Sequence, residues 1–150
     1  MTQLTPHFSL AEMSYSPTAI RKGIPNKPGP DAIKALTLLC EKVLEPVRAH
    51  YGKPVLITSG YRSPRANVAV GGSATSQHCL GEAVDFTVKG ESNIAVCQWI
   101  MHNLTYDQLI YEFGEAGWIH CSYSAHRTRN QELSAKKAGG RTRYLPGLVL

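Results

Sequence analysis

A histidine and an aspartate stand seven residues apart in the stretch Ser76-Gln77-His78-Cys79-Leu80-Gly81-Glu82-Ala83-Val84-Asp85-Phe86, and a second histidine follows downstream in Trp118-Ile119-His120. Two imidazoles and one carboxylate make a set of three ligands. Three protein ligands leave a fourth coordination position open, which is the arrangement of a catalytic zinc. The same donor types accept other divalent ions, so they do not by themselves select the metal. Taken singly, each histidine also suits a surface or hydrogen-bonded role. Asp85 is harder to place that way, because a carboxylate between Val84 and Phe86 in an apolar run needs a partner or a metal.

Alternation along strands sorts these side chains. Over Ala83 to Val88, Asp85 shares a face with Ala83 and Thr87, while Val84, Phe86 and Val88 point the other way. Over Trp118 to Tyr123, His120 lies with Trp118 and Ser122, opposite Ile119, Cys121 and Tyr123. Each strand therefore offers one ligand on one face and an apolar row on the other. Cys121, and Cys79 next to His78, are turned away from any metal. A strand from Gln108 to Phe113 joins the His120 strand through Gly114-Glu115-Ala116-Gly117, which reads as a hairpin turn.

The remaining elements read as scaffold. Ser9 with Glu12 three residues on predicts a capped N-terminal turn, and Thr18 to Ile24 could continue it. The clearest helix runs from about Asp31, as its cap, to Tyr51, with Ile33, Leu36, Leu39, Cys40, Val43, Leu44 and Val47 in one stripe. Pro46 should kink or end its first part, and Gly52 should stop it. Lys53 to Ser59 is a strand that runs into the turn Gly60-Tyr61-Arg62-Ser63-Pro64. Asn67 to Ser76 is predicted as a loop across the mouth of a site, and Ser92 to Asn103 as a helix. After Ser124 the pattern fades into polar and basic residues.

With 150 residues, 43% hydrophobic and 18% charged, the chain has the size and composition of one globular domain. No apolar run reaches the length of a membrane span. The N-terminus lacks the basic start and apolar core of a secretory signal. The expectation is cytoplasmic synthesis without a signal peptide, with action on a cell wall after release or as part of a virion. The net charge of +5 is concentrated in Arg127, Arg129, Lys136, Lys137, Arg141 and Arg143. No aromatic residues interleave with these charges as in single-strand binders, so nucleic acid is not the expected partner. Cys40, Cys79, Cys97 and Cys121 form no CxxC pair and read as reduced, mostly packing thiols.

The motifs Ser59-Gly60-Tyr61-Arg62-Ser63, Gly71-Gly72, Ser76 to Asp85 and Trp118-Ile119-His120 together resemble the zinc D-alanyl-D-alanine carboxypeptidase family. That family includes phage and bacterial peptidoglycan peptidases and shares its fold with the signalling domain of hedgehog. The resemblance covers roughly Phe8 to Ser124. It implies a single α+β domain, with N-terminal helices and an antiparallel sheet carrying one zinc per chain. By the matched motifs, His78, Asp85 and His120 would be the ligands. The expected division is a peptidase domain over 1–124, with its core at about 31–124, and a basic C-terminal extension of the same domain over 125–150.

Peptide hydrolysis at such a site needs a carboxylate that takes a proton from water and passes it to the leaving amine. Some branches of the family place an acid three positions before the last histidine, where this chain has Gly117. Glu112 is the expected base, since it ends the strand paired with the His120 strand, and Glu115 is the runner-up. Arg62 offers a bidentate fork for a substrate carboxylate, and Ser76 and Gln77 could bind substrate or support His78. The expected activity is hydrolysis of peptidoglycan peptide stems at the D-Ala-D-Ala link or an L-Ala-D-Glu-type link, as in a phage or prophage endolysin, by a monomer. The rival reading is a non-catalytic, zinc-stabilised wall-binding or virion module.

Overall fold

The computed structural model describes residues 2–150. Two short paired strands, β1 (Gln3–Thr5) and β2 (Phe8–Ser9), lead into α1 (Leu10–Met13). The capping box forms there: Ser9 Oγ accepts the Glu12 N–H, and the Glu12 carboxylate accepts the Ser9 N–H. Helix α2 (Pro17–Lys22) starts on Ser16 and stops at Gly23.

Helices α3 (Pro30–Leu39) and α4 (Glu45–Tyr51) form one continuous run joined by a π-helical turn, Cys40–Leu44. Pro46 has no N–H, and in an α-helix its ring would collide with the carbonyl one turn back. The wide π turn just before it takes up that misfit, and the helical run continues through Pro46 to Tyr51. The cap differs from expectation: Gly29 holds the N-cap position, Pro30 opens the helix, and Asp31 sits in the first turn. The stripe is as read, with Leu36, Leu39, Cys40, Val43, Leu44 and Val47 wholly buried. Gly52 closes the run at φ 64°.

After β3 (Val55–Ser59), Ser63 caps a short helix, α5 (Pro64–Ala69), where a plain loop was expected. The chain continues through β4 (Ala83–Val88), α6 (Asn93–Asn103), β5 (Gln108–Glu112), β6 (Trp118–Ser122), β7 (Gln131–Ala138) and β8 (Arg141–Pro146). Six strands make one sheet in the order β3-β4-β6-β5-β7-β8. Every neighbouring pair is antiparallel except β5 and β7, which run parallel. The fold is α+β. Val84, Phe86, Leu109, Tyr111, Ile119 and Cys121 share one hydrophobic core with the helices.

The register sets the other face. Asp85 pairs with His120, His120 with Ile110, and Trp118 with Glu112. The polar side chains of three adjacent strands thus come to one patch.

The region after Ser124 corrects the sequence reading, because it holds two strands rather than a fading tail. To reach β7 from β6 the chain crosses the end of β5. Asn130 exchanges backbone and side-chain hydrogen bonds with Tyr106, and the Gln131 N–H donates to the Asp107 carbonyl. The Gly114–Ala116 segment is a 3-10 turn entered by Phe113 at φ 62°, rather than a tight hairpin turn. No described helix is long and apolar enough to cross a membrane.

Candidate metal centre and its cleft

His78 sits in a 3-10 turn, Gln77–Leu80, whose start is capped by Ser76: its Oγ accepts the His78 N–H at 3.2 Å. Gly81 ends the turn at φ 75°, and a Cβ there would lie 2.5 Å from the Ala32 carbonyl oxygen. The turn therefore lies tight against the start of α3. His78 is 2% exposed. Its Nδ1 is 2.7 Å from the carbonyl oxygen of Gly60, which can only accept. Nδ1 therefore carries a proton, and Nε2, 3.4 Å from Asp85 Oδ2, is the ring nitrogen free to ligate an ion.

Asp85 and His120 face each other across β4 and β6, with Oδ1 3.0 Å from His120 Nδ1. One carboxylate thus offers an oxygen to each ring, and the two rings stand 5.2 Å apart. Burial pushes the Asp85 carboxyl up, but the hydrogen bonds and charges of His120 and His78 outweigh it and hold it far below the usual range. For His120, burial works against the charged form, and the bond to Asp85 with the charges of Asp85 and Glu112 overrides it, raising the pKa.

One donor atom from each of His78, Asp85 and His120 falls within 4.8 Å of the others. Two nitrogens and a carboxylate oxygen, one ring fixed in tautomer by a backbone carbonyl, fit a single zinc-type ion. Among the described residues this is the one such group. Cys121 is buried on the opposite face and Cys79 lies outside the group.

Glu112 lines the same cleft, with Oε1 3.8 Å from His120 Nδ1. Burial and the nearby charge of Asp85 push its carboxyl up to about 7, against the pull of His120 and Arg62. The Trp118 indole N–H adds a small lowering influence but makes no well-formed hydrogen bond. A divalent cation at the triad would draw this value down.

Glu115 is elsewhere. Its carboxylate accepts the N–H groups of Asn93 and Ile94 and the Tyr111 hydroxyl, at 2.8, 2.9 and 2.6 Å, so it caps the start of α6 and does not line the cleft.

Arg62 lines the cleft beside Ser76 and Gln77. Its backbone N–H donates to the His78 carbonyl, its Nη2 is 3.4 Å from Ser76 Oγ, and its buried Nε has no partner among the described residues. Gln77 is buried and donates weakly to Glu82 at 3.4 Å. The cleft holds about 600 Å³. The 71–76 segment forms one side, and Gln108, Leu133, Tyr144, Arg127 and Arg129 form the other. Sequence reasoning missed this second wall, because only strand pairing brings it beside β5.

An open cleft with a three-donor metal group, a buried carboxylate beside it and an arginine on its rim defines a metal-dependent hydrolase class of site. A family model described as Peptidase M15 matches residues 6–122, and the chain belongs to that family. M15 peptidases are zinc-dependent enzymes acting on peptidoglycan, and the chain carries the side chains that one zinc would need. No curated protein matches the chain.

Proposed function

We propose that the protein is a zinc metallopeptidase that hydrolyses the peptide stems of peptidoglycan. The observation carrying this reading is Glu112, a buried carboxylate 3.8 Å from His120 Nδ1 on the wall of the cleft. It supports a peptidase over a non-catalytic zinc module, which has no need of a second carboxylate held there. His78 through Nε2, Asp85, and His120 through Nδ1 would hold the ion. When bound, zinc supplies Lewis-acid polarisation of the scissile carbonyl and acidifies water.

Glu112 accepts the proton of the attacking water and returns it to the leaving amine. Burial raises this carboxyl and a bound cation would lower it, and a value between the two lets one group take and return a proton. Arg62 clamps a substrate carboxylate or carbonyl, and Ser76 and Gln77 keep His78 in place. Residues 125–150 belong to the same domain as 1–124, a reading supported by the pairing of β7 with β5.

Two bonds are candidates: the terminal D-Ala-D-Ala link and an internal L-Ala-D-Glu-type link. An endolysin role fits the second. Incubation with purified peptidoglycan tests the proposal. Zinc-dependent, chelator-sensitive release is expected, as free D-alanine for the first bond or as new amino termini for the second. Release that survives a chelator, or no release with zinc replete, would contradict it.

A further inference from the structure

The second wall of the cleft carries two arginines that the metal centre does not use. Arg127 Nε donates to Asp107 Oδ2 at 3.1 Å. Arg129 donates to Asp107 through Nε at 2.7 Å, Nη2 at 3.0 Å and its backbone N–H at 3.2 Å. Asp107 is 0% exposed, whereas the two arginine side chains are 54% and 41% exposed and line the cleft.

Pinning the crossover to β7 accounts for Arg129, which closes a two-pronged pair and adds its backbone. It does not account for Arg127, which spends only Nε on Asp107 and leaves its terminal amines without a protein partner among the described residues. Two guanidiniums share one carboxylate, so one positive charge is left unbalanced. Glu132 accepts the Tyr106 hydroxyl and forms no ion pair with either arginine. Both arginines also lie beyond residue 122, outside the stretch matched by the family model.

Their position suits a substrate rather than bulk solvent. Gln108, Ile110 and Glu112 alternate along β5 and all line the cleft. Ile110 pairs with His120, and Asp107 precedes Ile110 by three residues. At about 3.3 Å per strand residue, that separation is about 10 Å. For an extended substrate it corresponds to an acidic side chain roughly three residues from the bond being cut.

We infer that Arg127, steadied with Arg129 on Asp107, forms an anion subsite at this end of the cleft that takes a second carboxylate of the substrate, distinct from any group held by Arg62. The substrate class is a peptide with a free acidic side chain, and the inference rests on the peptidase reading above.

The test uses two stem peptides of one sequence, one with its side-chain carboxylates free and one with them amidated. Equilibrium binding of each is measured on the zinc-free protein, and kcat/KM on the zinc-loaded protein. The free acid should be preferred about 10-fold, the scale of one charge-assisted hydrogen bond. Arg127→Gln should bring the acid-to-amide ratio near one, and Arg127→Lys should restore part of it. Arg127→Gln should bind the amide peptide as the wild type does, which separates loss of the subsite from misfolding. Equal affinity in the wild type, or a ratio unchanged in Arg127→Gln, would overturn the inference. A preserved binding ratio with neither peptide cleaved supports this subsite while counting against the peptidase reading.

Discussion

Asp107 is a buried carboxylate whose charge is tolerated only because two arginines and a backbone N–H reach it. Burial raises its pKa, and the hydrogen bonds and charges of Arg129 with the charge of Arg127 overcome that and leave it below the usual value. A group depressed in the folded state adds stability that is present above its unfolded pKa of about 4 and is lost as pH falls through the folded value. Asp107→Asn should therefore cost about 1–3 kcal/mol at pH 7. The deficit should shrink as pH drops below about 4. Urea unfolding of both proteins at several pH values measures this, and a deficit independent of pH would speak against it. At this scale the grouping of His78, Asp85 and His120 as candidate donors was legible and the arginines were not. His78, Asp85 and His120 carry recognisable neighbours, whereas Arg127 and Arg129 matter only because a crossover brings them to a buried aspartate. Glu112 could be placed on the right strand end, but its burial and elevated pKa depend on neighbours in three dimensions.

At the scale of elements, the junction after β3 links backbone packing to the metal site. A Cβ on Gly60 would lie 2.2 Å from the Met13 carbonyl oxygen, a backbone atom that cannot swing aside. The same residue's carbonyl accepts the His78 Nδ1–H. Gly60→Ala must displace α1 or the Gly60 carbonyl, and so tilt His78. It should cost about 1–3 kcal/mol of stability and weaken zinc binding about 10-fold or more. Metal titration of the folded variant checks this, and wild-type affinity would show that the close approach does not orient the ligand. The helices and strands with strong periodicity were readable: the α3–α4 stripe, the capping box at Ser9, and strands β4 and β6. Helix α5 escaped notice despite a Ser-Pro start, because six residues leave little periodic signal before Gly71-Gly72. Strand β7, Gln-Glu-Leu-Ser-Ala-Lys-Lys-Ala, has one large apolar residue, and its parallel partner lies more than twenty positions earlier. Local pattern carries no information about such a pairing. The proline in the long helix was visible, but a π turn as its resolution was not, since that depends on what the widened helix packs against.

Over the whole molecule, the sheet divides the labour. One face joins the helices in a core of Val84, Phe86, Leu109, Ile119 and Cys121, and the other gathers Asp85, Glu112, His120 and the side chains that wall the cleft. The rigid register of β4, β6 and β5 places these groups, while the 71–76 segment and the β7–β8 end form opposite sides. The family match stops at residue 122, so the metal side of the cleft lies within the matched stretch and Arg127, Arg129, Leu133 and Tyr144 lie beyond it. In the proposed mechanism Glu112 moves the proton at a metal it does not hold. Zinc content and peptidoglycan hydrolysis measured side by side on wild type and Glu112→Gln test it most directly. The variant should keep about one zinc per chain and lose hydrolysis by about 10²–10⁴-fold. Hydrolysis near the wild-type rate, or loss of the zinc together with activity, would contradict the account.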